Sequence, residues 1–361
     1  MPNPIYNRIF ILNVRGIGDL VMALPLLHSL RGQLPGSHIN LGVSVGQIPL
    51  ARTLEGTVVD ELTKQVHQNR IQDRVYFANK VRQFKPDLLV ELSGGYRYFL
   101  AGYSSSARAI YSSSEDSWPG LKWIPIERLA AAESRHRVDR QLQLLSHLNL
   151  QIEKINFDFP VSDETIERAD SLMRDCNLRE RRLVALLPEA GQSFKVWPVE
   201  TLRRTVDALV YDLGYNVVVF GKNPSSNLND KPVLDLRGKT DLLTDAYLLR
   251  YGKIFDVVIG TDTGMMHIAG AVNSNENGSY TGITRGNLTI SLFGPTDPAR
   301  YRPYDLTGRF NVVVQPKLPA FSRDAFGYAN DWKNRQYMRE ISAPMIIEKV
   351  ARHLEMGRLS A

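Results

Sequence analysis

The sequence has few of the features that would place it outside the ordinary globular classes. It contains a single cysteine, Cys176, which excludes an internal disulfide and a cysteine-based zinc site. It contains no apolar run of 18 residues or more, which argues against a membrane-spanning helix. Its first residues do not follow the basic, apolar and small-residue order of a secretion signal. We therefore expect a cytoplasmic location.

Length and charge limit the possible number of domains and the possible binding partners. The 361 residues suggest two domains, and an apolar content of 43% is enough to build ordinary hydrophobic cores. The net charge of +6 favours acidic partners, which leaves nucleic acid, an anionic membrane surface and a phosphorylated substrate as candidates. The sequence has no aromatic-plus-basic signature of an RNA-binding module and no zinc-finger spacing, so we do not expect it to bind nucleic acid.

Short β-rich runs alternate with amphipathic helices along the chain, which predicts parallel sheets of the α/β class. A break at residues 156–162 predicts a boundary between a lobe of residues 1–160 and a lobe of residues 161–340, with a final helix in residues 341–361. Strands are predicted at residues 9–14, 39–45, 87–92, 108–111, 183–187, 216–220, 257–259, 289–293 and 311–314.

The segment that follows the predicted strand 257–259 has the pattern of a tight glycine turn leading into a helix. The free N–H groups and the dipole of a helix N-terminus favour negative charge, so we expect a phosphate to bind at Thr263, Gly264 and His267. A helix histidine bonded to a carbonyl is the alternative for His267. Met265 is counted with this group, although a core position is the simpler explanation for it.

A second cluster of candidates lies at the start of the second lobe. A predicted strand ends at Pro188, and a loop of small residues then carries Lys195, which could neutralise a phosphate. An ordinary solvated lysine is the alternative, and Trp197 is more plausibly a packing residue. With the segment above, Lys195 would complete a diphosphate pocket. Thr296 follows the strand 289–293 at the same sheet edge as Asp262 and could also touch the ligand, although turn chemistry explains its neighbours.

A glycine turn at Gly16 and Gly18 follows the first predicted strand. A dinucleotide-binding fingerprint would need a third glycine where Val21 stands and an acid about 20 residues further on, and residues 20–54 contain no acid before Glu55. A dehydrogenase is therefore disfavoured. Asp19 lies in the first turn of the following helix. It is either a helix cap or a carboxylate at the ligand-binding end of the sheet, where it could act as a general base.

Three segments, at residues 16–25, 187–198 and 262–267 with 293–298, resemble the bacterial heptosyltransferases of lipopolysaccharide core synthesis, which form glycosyltransferase family 9. The resemblance spans about residues 8–315. It implies the GT-B architecture, in which two Rossmann-like lobes face each other across a cleft and the last helix crosses back to the first lobe. It also implies an inverting transfer of heptose from an ADP-activated donor, with no divalent metal and no cofactor.

The resemblance also assigns roles to individual residues. Asp19 would be the catalytic base, with Gly16 and Gly18 in the loop beside it. Lys195 would hold the diphosphate. The nucleotide-sugar would be bound by Asp262, Thr263, Gly264 and His267, with Asp262 nearest the sugar.

The sequence departs from the family pattern in two respects that concern the donor. Family members often carry an acid after the strand equivalent to 216–220, where it holds the ribose, whereas this chain has no acid there before Asp230. A polar insertion at residues 273–287 falls between the two halves of the donor motif. A further irregular segment, at residues 317–339, is rich in aromatic residues and lacks the cysteine cluster that many family members carry there.

The acceptor is expected to bind the first lobe, as a glycolipid or oligosaccharide. A run of basic residues there could recognise an acidic acceptor or an anionic face of the inner membrane, although scattered solvated charges are the alternative. The basic residues of this group are Arg97, Arg108, Lys122, Arg128, Arg135, Arg137 and Arg140. Two other functions stay open at this point. One is a nucleotide-sugar epimerase on the same fold, and the other is a non-catalytic protein that binds a nucleotide-sugar.

Overall fold

The protein consists of two compact units, Met1–Pro160 and Val161–Ala361. The structure is a computed structural model. It describes residues 6–66, 70–92, 107, 109–112, 126–128, 136–176, 182–223, 228–250, 254–271, 288–305, 310–318, 328–333 and 336–359. Each unit contains one six-stranded sheet in which every paired strand is parallel.

The sheet of the first unit has the strand order β3-β2-β1-β4-β5-β6. Its strands are β1 (Arg8–Asn13), β2 (His38–Val43), β3 (Glu61–Lys64), β4 (Leu88–Glu91), β5 (Ala109–Ser112) and β6 (Ile126–Arg128). The α-helices among the described residues of this unit are α1 (Ile17–Gln33), α2 (Ile48–Leu54), α3 (Arg70–Phe84) and α4 (Arg137–His147). Helix α4 packs against α1, which brings the start of each helix to the region of the Asp19 turn.

The sheet of the second unit has the order β12-β11-β10-β7-β8-β9. Its strands are β7 (Leu183–Leu187), β8 (Asn216–Val219), β9 (Val233–Asp235), β10 (Val257–Thr261), β11 (Leu288–Leu292) and β12 (Asn311–Val314). Its helices are α5 (Asp163–Asp175), α6 (Val199–Asp207), α7 (Leu242–Arg250), α8 (Gly264–Gly270), α9 (Pro298–Tyr301) and α10 (Ala343–Leu359). The order in which strands are added reverses between β7 and β10. The chain adds β8 and β9 on one side of β7, and then adds β10, β11 and β12 on the other side.

Alternate residues of the central strands enter two separate hydrophobic clusters, as strands covered on both faces require. Val184 and Leu186 of β7 pack with residues of α6 and α10, such as Val206 and Ile346. The intervening residues of the strand, among them Ala185, pack with residues of α5, α7 and α8 in the other cluster. This double covering explains why β7, β10 and β11 are buried along their whole length.

The predicted fold class, with Rossmann-like parallel sheets in two units, is confirmed. The nine predicted strands all form, within two residues of their predicted ends. Strands β3, β6 and β9 were not predicted, and each lies at an edge of its sheet. Edge strands are short and covered on fewer sides, so their apolar signal is weak. Strand β9 illustrates this, because all three of its residues are only partly buried.

The last helix, α10, lies in the second unit and packs against α6 and β11. Its crossing back to the first lobe stays a prediction. The predicted insertion at residues 273–287 lies outside the described residues, as do parts of the segment 317–339. Among the residues that the structure describes, no helix is both long enough and apolar enough to cross a membrane.

Candidate functional site

Asp19 occupies the first turn of α1, and both of its carboxylate oxygens have partners. Oδ2 accepts a hydrogen bond from the backbone N–H of Gly16, the N-cap residue, at 3.1 Å. Oδ1 lies 3.0 Å from Nη1 of Arg137 and 3.8 Å from Nη1 of Arg15. The Asp19 side chain keeps an exposed fraction of 20%, so solvent or a ligand can still reach the carboxylate. Asp19 is therefore both a helix-capping residue and an accessible carboxylate of fixed orientation.

Arg137 joins Asp19 to the carboxyl end of the sheet. It is the first residue of α4, whose N-cap is His136, and its side chain is only 9% exposed. One terminal nitrogen contacts Asp19, and the other donates a hydrogen bond to the carbonyl of Leu92, the residue after β4. A guanidinium group suits this double contact, because its donors lie in a rigid planar fork. In the sequence, Arg137 was visible only as one of several basic residues.

The backbone of the glycine turn is held by polar side chains from neighbouring elements. Asn13, the last residue of β1, donates from Nδ2 to the carbonyl of Asp19 at 3.1 Å. Gln47 is fully buried and donates from Nε2 to the carbonyl of Gly16 at 2.8 Å. Gly18 is buried inside the same turn. The turn that carries Asp19 is thus tied to β1 and to the segment before α2, and its geometry is largely preorganised.

In the second unit, Lys195 and Asp262 form a close ion pair. The Lys195 ammonium nitrogen lies 2.6 Å from Oδ2 of Asp262, and the side chains are 14% and 8% exposed. Lys195 ends a short 3-10 turn, Ser193–Lys195, beyond β7, and Asp262 directly follows β10. Since β7 and β10 are neighbours, their carboxyl ends meet at one sheet edge. The two residues that the family resemblance assigned to the donor are therefore in contact with each other.

Helix α8 begins beside this ion pair. Its N-cap, Thr263, has an extended backbone, and within the described part of the chain its hydroxyl makes no capping hydrogen bond. Gly264 is the first helical residue, and His267 is buried one turn later. The helix is only seven residues long, so its dipole is a small contribution. Lys195 supplies a full positive charge next to the helix start, through its contact with Asp262.

Two other candidates in this unit are Met265 and Thr296. Met265 is partly buried and packs against the cluster that includes Met266 and Ala269, which agrees with a core role. Thr296 is 2% exposed, and its buried hydroxyl has no hydrogen-bond partner among the described residues. Contact of Met265 and Thr296 with a ligand stays a prediction.

Three aromatic rings from distant parts of the chain pack together beside Lys195. Phe194 lies 4.5 Å from Trp332 and 5.6 Å from Tyr328, measured between ring centroids. The Lys195 nitrogen lies 6.0 Å from the centroid of the Tyr328 ring, at the limit of a cation–π contact. Part of the aromatic-rich segment 317–339 therefore packs against the loop that carries Lys195.

The predicted basic surface of the first lobe is only partly described. Arg137 and Arg140 are both buried, so they are not the solvated charges of the alternative interpretation. Arg128 ends β6. The other members of the group, Arg97, Arg108, Lys122 and Arg135, lie outside the described residues. No group of three or more potential metal ligands (His, Cys, Asp or Glu) comes together in the part of the chain that the structure describes.

Comparison with known proteins assigns the family. The chain belongs to glycosyltransferase family 9 (heptosyltransferase), whose family model matches residues 105–326, more than half of the chain. Together with the fold, this makes the protein a glycosyltransferase, as the sequence motifs predicted. No curated protein sequence matches the chain significantly.

Solved structures with the same fold cover almost the whole chain. A glycosyl transferase family 9 protein from Veillonella parvula DSM 2008 has a TM-score of 0.71 at 19% identity, over 96% of each chain. The E. coli ADP-heptose lps heptosyltransferase II has a TM-score of 0.64 at 18% identity, over 97% of this chain and 99% of that chain. The E. coli heptosyltransferase WaaC with ADP-2-deoxy-2-fluoro heptose has a TM-score of 0.63 at 16% identity, over 96% and 99%. At these identities the likeness establishes a common fold.

Proposed function

We propose that this glycosyltransferase moves a sugar from a nucleoside-diphosphate donor to a surface-glycan acceptor, with inversion at the anomeric carbon and without a divalent metal. The observation that carries the proposal is the pair of charged sites on the two Rossmann-like units. The first unit holds an accessible carboxylate, Asp19, in a preorganised turn. The second holds a lysine, Lys195, at the edge of the sheet where α/β proteins bind nucleotides.

The donor is proposed to bind the second unit through its diphosphate. Lys195 would move from Asp262 to the phosphate oxygens, which a flexible lysine can do without rearranging the backbone. The Asp262 carboxylate, released from its partner, would then accept hydrogen bonds from hydroxyl groups of the sugar. Thr263, Gly264 and His267 would complete the site through the backbone N–H groups and the imidazole at the start of α8. We propose an ADP-heptose as donor, because one structure with this fold is an ADP-heptose heptosyltransferase and another is a heptosyltransferase with ADP-2-deoxy-2-fluoro heptose.

The proposed reaction is a single displacement. Asp19 accepts the proton of the acceptor hydroxyl as its oxygen attacks the anomeric carbon. A new bond forms between that oxygen and the carbon, and the bond from the carbon to the diphosphate breaks, with its electron pair leaving on the diphosphate. Lys195 stabilises the negative charge that develops there, which is the electrostatic role that a metal ion fills in other enzymes.

The acceptor is proposed to be a lipopolysaccharide precursor or another surface glycan that binds the first unit, with peripheral contact at the inner membrane. An acidic or phosphorylated acceptor would suit the excess of basic residues in the sequence. Flotation of the protein with vesicles should then increase with anionic lipid content and decrease with salt. Flotation that is independent of anionic lipid would contradict the membrane contact.

A melting-temperature panel tests the donor assignment. ADP-, UDP-, GDP- and CMP-sugars would be added to the intact protein, since a ligand that binds only the folded state raises the melting temperature. We expect the largest rise with the ADP-sugar and no rise in the Lys195→Met variant. A rise with ADP-sugar that persists in this variant would contradict the assigned phosphate contact. Turnover of a nucleotide-sugar without any acceptor would indicate an epimerase instead.

A further inference from the structure

We infer that Glu189 is the residue that binds the ribose hydroxyls of the donor nucleotide. This inference rests on the proposed function, because it concerns the nucleotide of that donor. The chain has no acid between the end of β8 and Asp230, the region where an acid would be expected for this role. The fold supplies a carboxylate to this place from the segment that follows the neighbouring strand, β7.

Glu189 lies two residues beyond the end of β7, and its side chain reaches the loop after β8. Its Oε2 accepts a hydrogen bond from the backbone N–H of Lys222 at 2.8 Å. Its Oε1 accepts one from the N–H of Asn223 at 3.0 Å. The backbone of Glu189 is also held, because the hydroxyl of Thr261 at the end of β10 donates to its carbonyl at 3.0 Å. The carboxylate is therefore fixed among the carboxyl ends of three adjacent strands, β10, β7 and β8.

Gly221 makes room for this arrangement. A Cβ atom at this position would lie 2.7 Å from the carboxyl carbon of Glu189, which real contacts do not allow. The backbone of Gly221 also has a φ of 155°, which side chains disfavour. Any larger residue at position 221 would therefore displace the Glu189 carboxylate. The glycine is explained by the close approach of a carboxylate to the backbone.

The topology of the second unit specifies what such a carboxylate can bind. The strand order from β9 to β12 is that of a Rossmann fold, with β7 as the first strand and β8 as the second. In this fold a nucleotide lies over the ends of the first and fourth strands, and an acid beyond the second strand accepts hydrogen bonds from the ribose. Glu189 brings its carboxylate to the end of the second strand, although in the chain it follows the first strand. The other proposed donor-binding residues, Lys195 for the phosphates and Asp262 for the sugar, lie beyond the ends of the first and fourth strands, as the same arrangement requires.

The hydrogen bonds to the backbone leave Glu189 able to bind a ligand. A carboxylate offers about four lone-pair sites, and the N–H groups of Lys222 and Asn223 occupy only part of them. The side chain is half-buried, so part of it is accessible. The first acid after β8, Asp230, is instead exposed and held by two hydrogen bonds from Arg203. Glu189 is therefore the better-placed acceptor for a pair of ribose hydroxyls.

The test compares the binding of ADP and of 2′,3′-dideoxy-ADP to the intact protein by calorimetry. In the unaltered protein we expect ADP to bind more tightly by roughly tenfold to a hundredfold, since hydrogen bonds to a charged group are lost with the hydroxyls. The Glu189→Ala and Glu189→Gln variants should reduce this preference to about threefold or less. Gly221→Ala should reduce it as well, because the carboxylate is retained but displaced. Asp230→Asn is the charge-matched control and should keep the full preference.

The outcomes separate this inference from the proposed function. If the Glu189 variants weaken both nucleotides equally and keep the preference, Glu189 only holds the loop after β8 and the inference is wrong. If Asp230→Asn removes the preference, the wrong acid has been assigned. If the unaltered protein binds both nucleotides equally well, no acid binds the ribose hydroxyls and the inference is wrong, whereas the proposed nucleotide binding is supported. Failure to bind either nucleotide would overturn the inference and the proposed function together. Melting curves of each variant exclude loss of folding as the cause.

Discussion

Asp19 and Asp262 are both aspartates near the carboxyl end of a parallel sheet, and each is paired with a basic residue, yet the two pairs differ in kind. Asp19 is held at one oxygen by the guanidinium of Arg137 and at the other by the N–H of Gly16. Asp262 is paired with Lys195, whose ammonium group sits on a flexible chain. The arginine is also bonded to a carbonyl and is confined, whereas a lysine can exchange one anion for another.

This difference suggests a division of labour between the units. A carboxylate whose orientation is fixed is suited to accept a proton from a bound hydroxyl, because catalysis depends on geometry that is preorganised. A lysine that can leave its partner is suited to bind a phosphate that arrives and departs in each cycle. The following predictions test this contrast, in decreasing order of the expected effect on transfer.

Replacing the proposed base has the largest expected effect. Asp19→Asn keeps the size of the side chain and an oxygen that can accept from Gly16, but it removes the proton acceptor. We expect the transfer rate to fall by about 10²–10⁴, whereas donor binding should not change. Initial rates with donor and acceptor, together with calorimetry of the donor alone, would measure the two effects. Glu55→Gln removes an exposed acid of the same unit and should leave the rate unchanged. Near-normal turnover by Asp19→Asn would show that another group takes the proton.

Replacing Lys195, the proposed phosphate-binding lysine, has the next largest expected effect on transfer, and it affects stability as well. Lys195→Met should lower kcat/KM for the donor by about 10²–10³, by analogy with the loss of one oxyanion donor. The variant also leaves the Asp262 carboxylate buried without its cation, which should cost about 3 kcal/mol of stability. The double variant Lys195→Met with Asp262→Asn should recover much of the stability but none of the activity. Urea unfolding and steady-state kinetics would measure both. If the single and double variants were equally stable, the unpaired Asp262 carboxylate would not be what destabilises the single variant.

Arg137 is expected to act through Asp19 as a positioning residue. Arg137→Lys keeps the charge but cannot reach Asp19 and the Leu92 carbonyl together, so we expect kcat to fall roughly tenfold to a hundredfold with little change in donor KM. Arg15→Lys is the matched control, because Arg15 lies 3.8 Å from the same oxygen and is 32% exposed. Its effect should stay within about threefold. Similar losses in both variants would indicate a general electrostatic effect of the two arginines instead.

Replacing Asp245 is expected to have the smallest effect on transfer. Its effect is instead on the free energy of unfolding and on how that energy depends on pH. Burial raises the pKa of the Asp245 carboxyl to about 7, with a further increase from the charge of Asp241 and an opposing hydrogen bond from Thr240. Between about pH 4 and pH 7 the folded state therefore keeps a proton that the unfolded state has lost, so stability falls as pH rises through this window.

The Asp245→Asn variant tests this pH dependence. Above pH 7 it should be more stable than the unaltered protein by up to roughly 3–4 kcal/mol, and near pH 4 the two should be equally stable. Unfolding of the second unit followed at several pH values would measure the difference. A difference that is independent of pH would mean that the carboxyl is already ionised in the folded protein.

The sequence predicted the central strands and both motif-bearing turns, because each depends on residues close together in the chain. The strand Leu183–Leu187 is apolar throughout, and the glycine turn before Asp19 has its pattern within four residues. The edge strand Val233–Asp235 was missed because three partly buried residues carry little periodicity. Arg137 was noticed only as a basic residue, since nothing in its local sequence indicates that it contacts a side chain more than a hundred positions earlier.

The missing acid after β8 is the clearest case of a contact that the sequence could not predict. The linear pattern indicated a missing carboxylate, and that observation is correct for the segment itself. Folding brings Glu189, which follows β7, against Lys222 and Asn223, which follow β8, and Gly221 permits the approach.

Local chemistry therefore determines which residues form strands, turns and helix starts, because these depend on the spacing of neighbouring side chains. Which charge faces which depends on the order of strands in the sheet and on helix packing, since these contacts join residues that are distant in the chain.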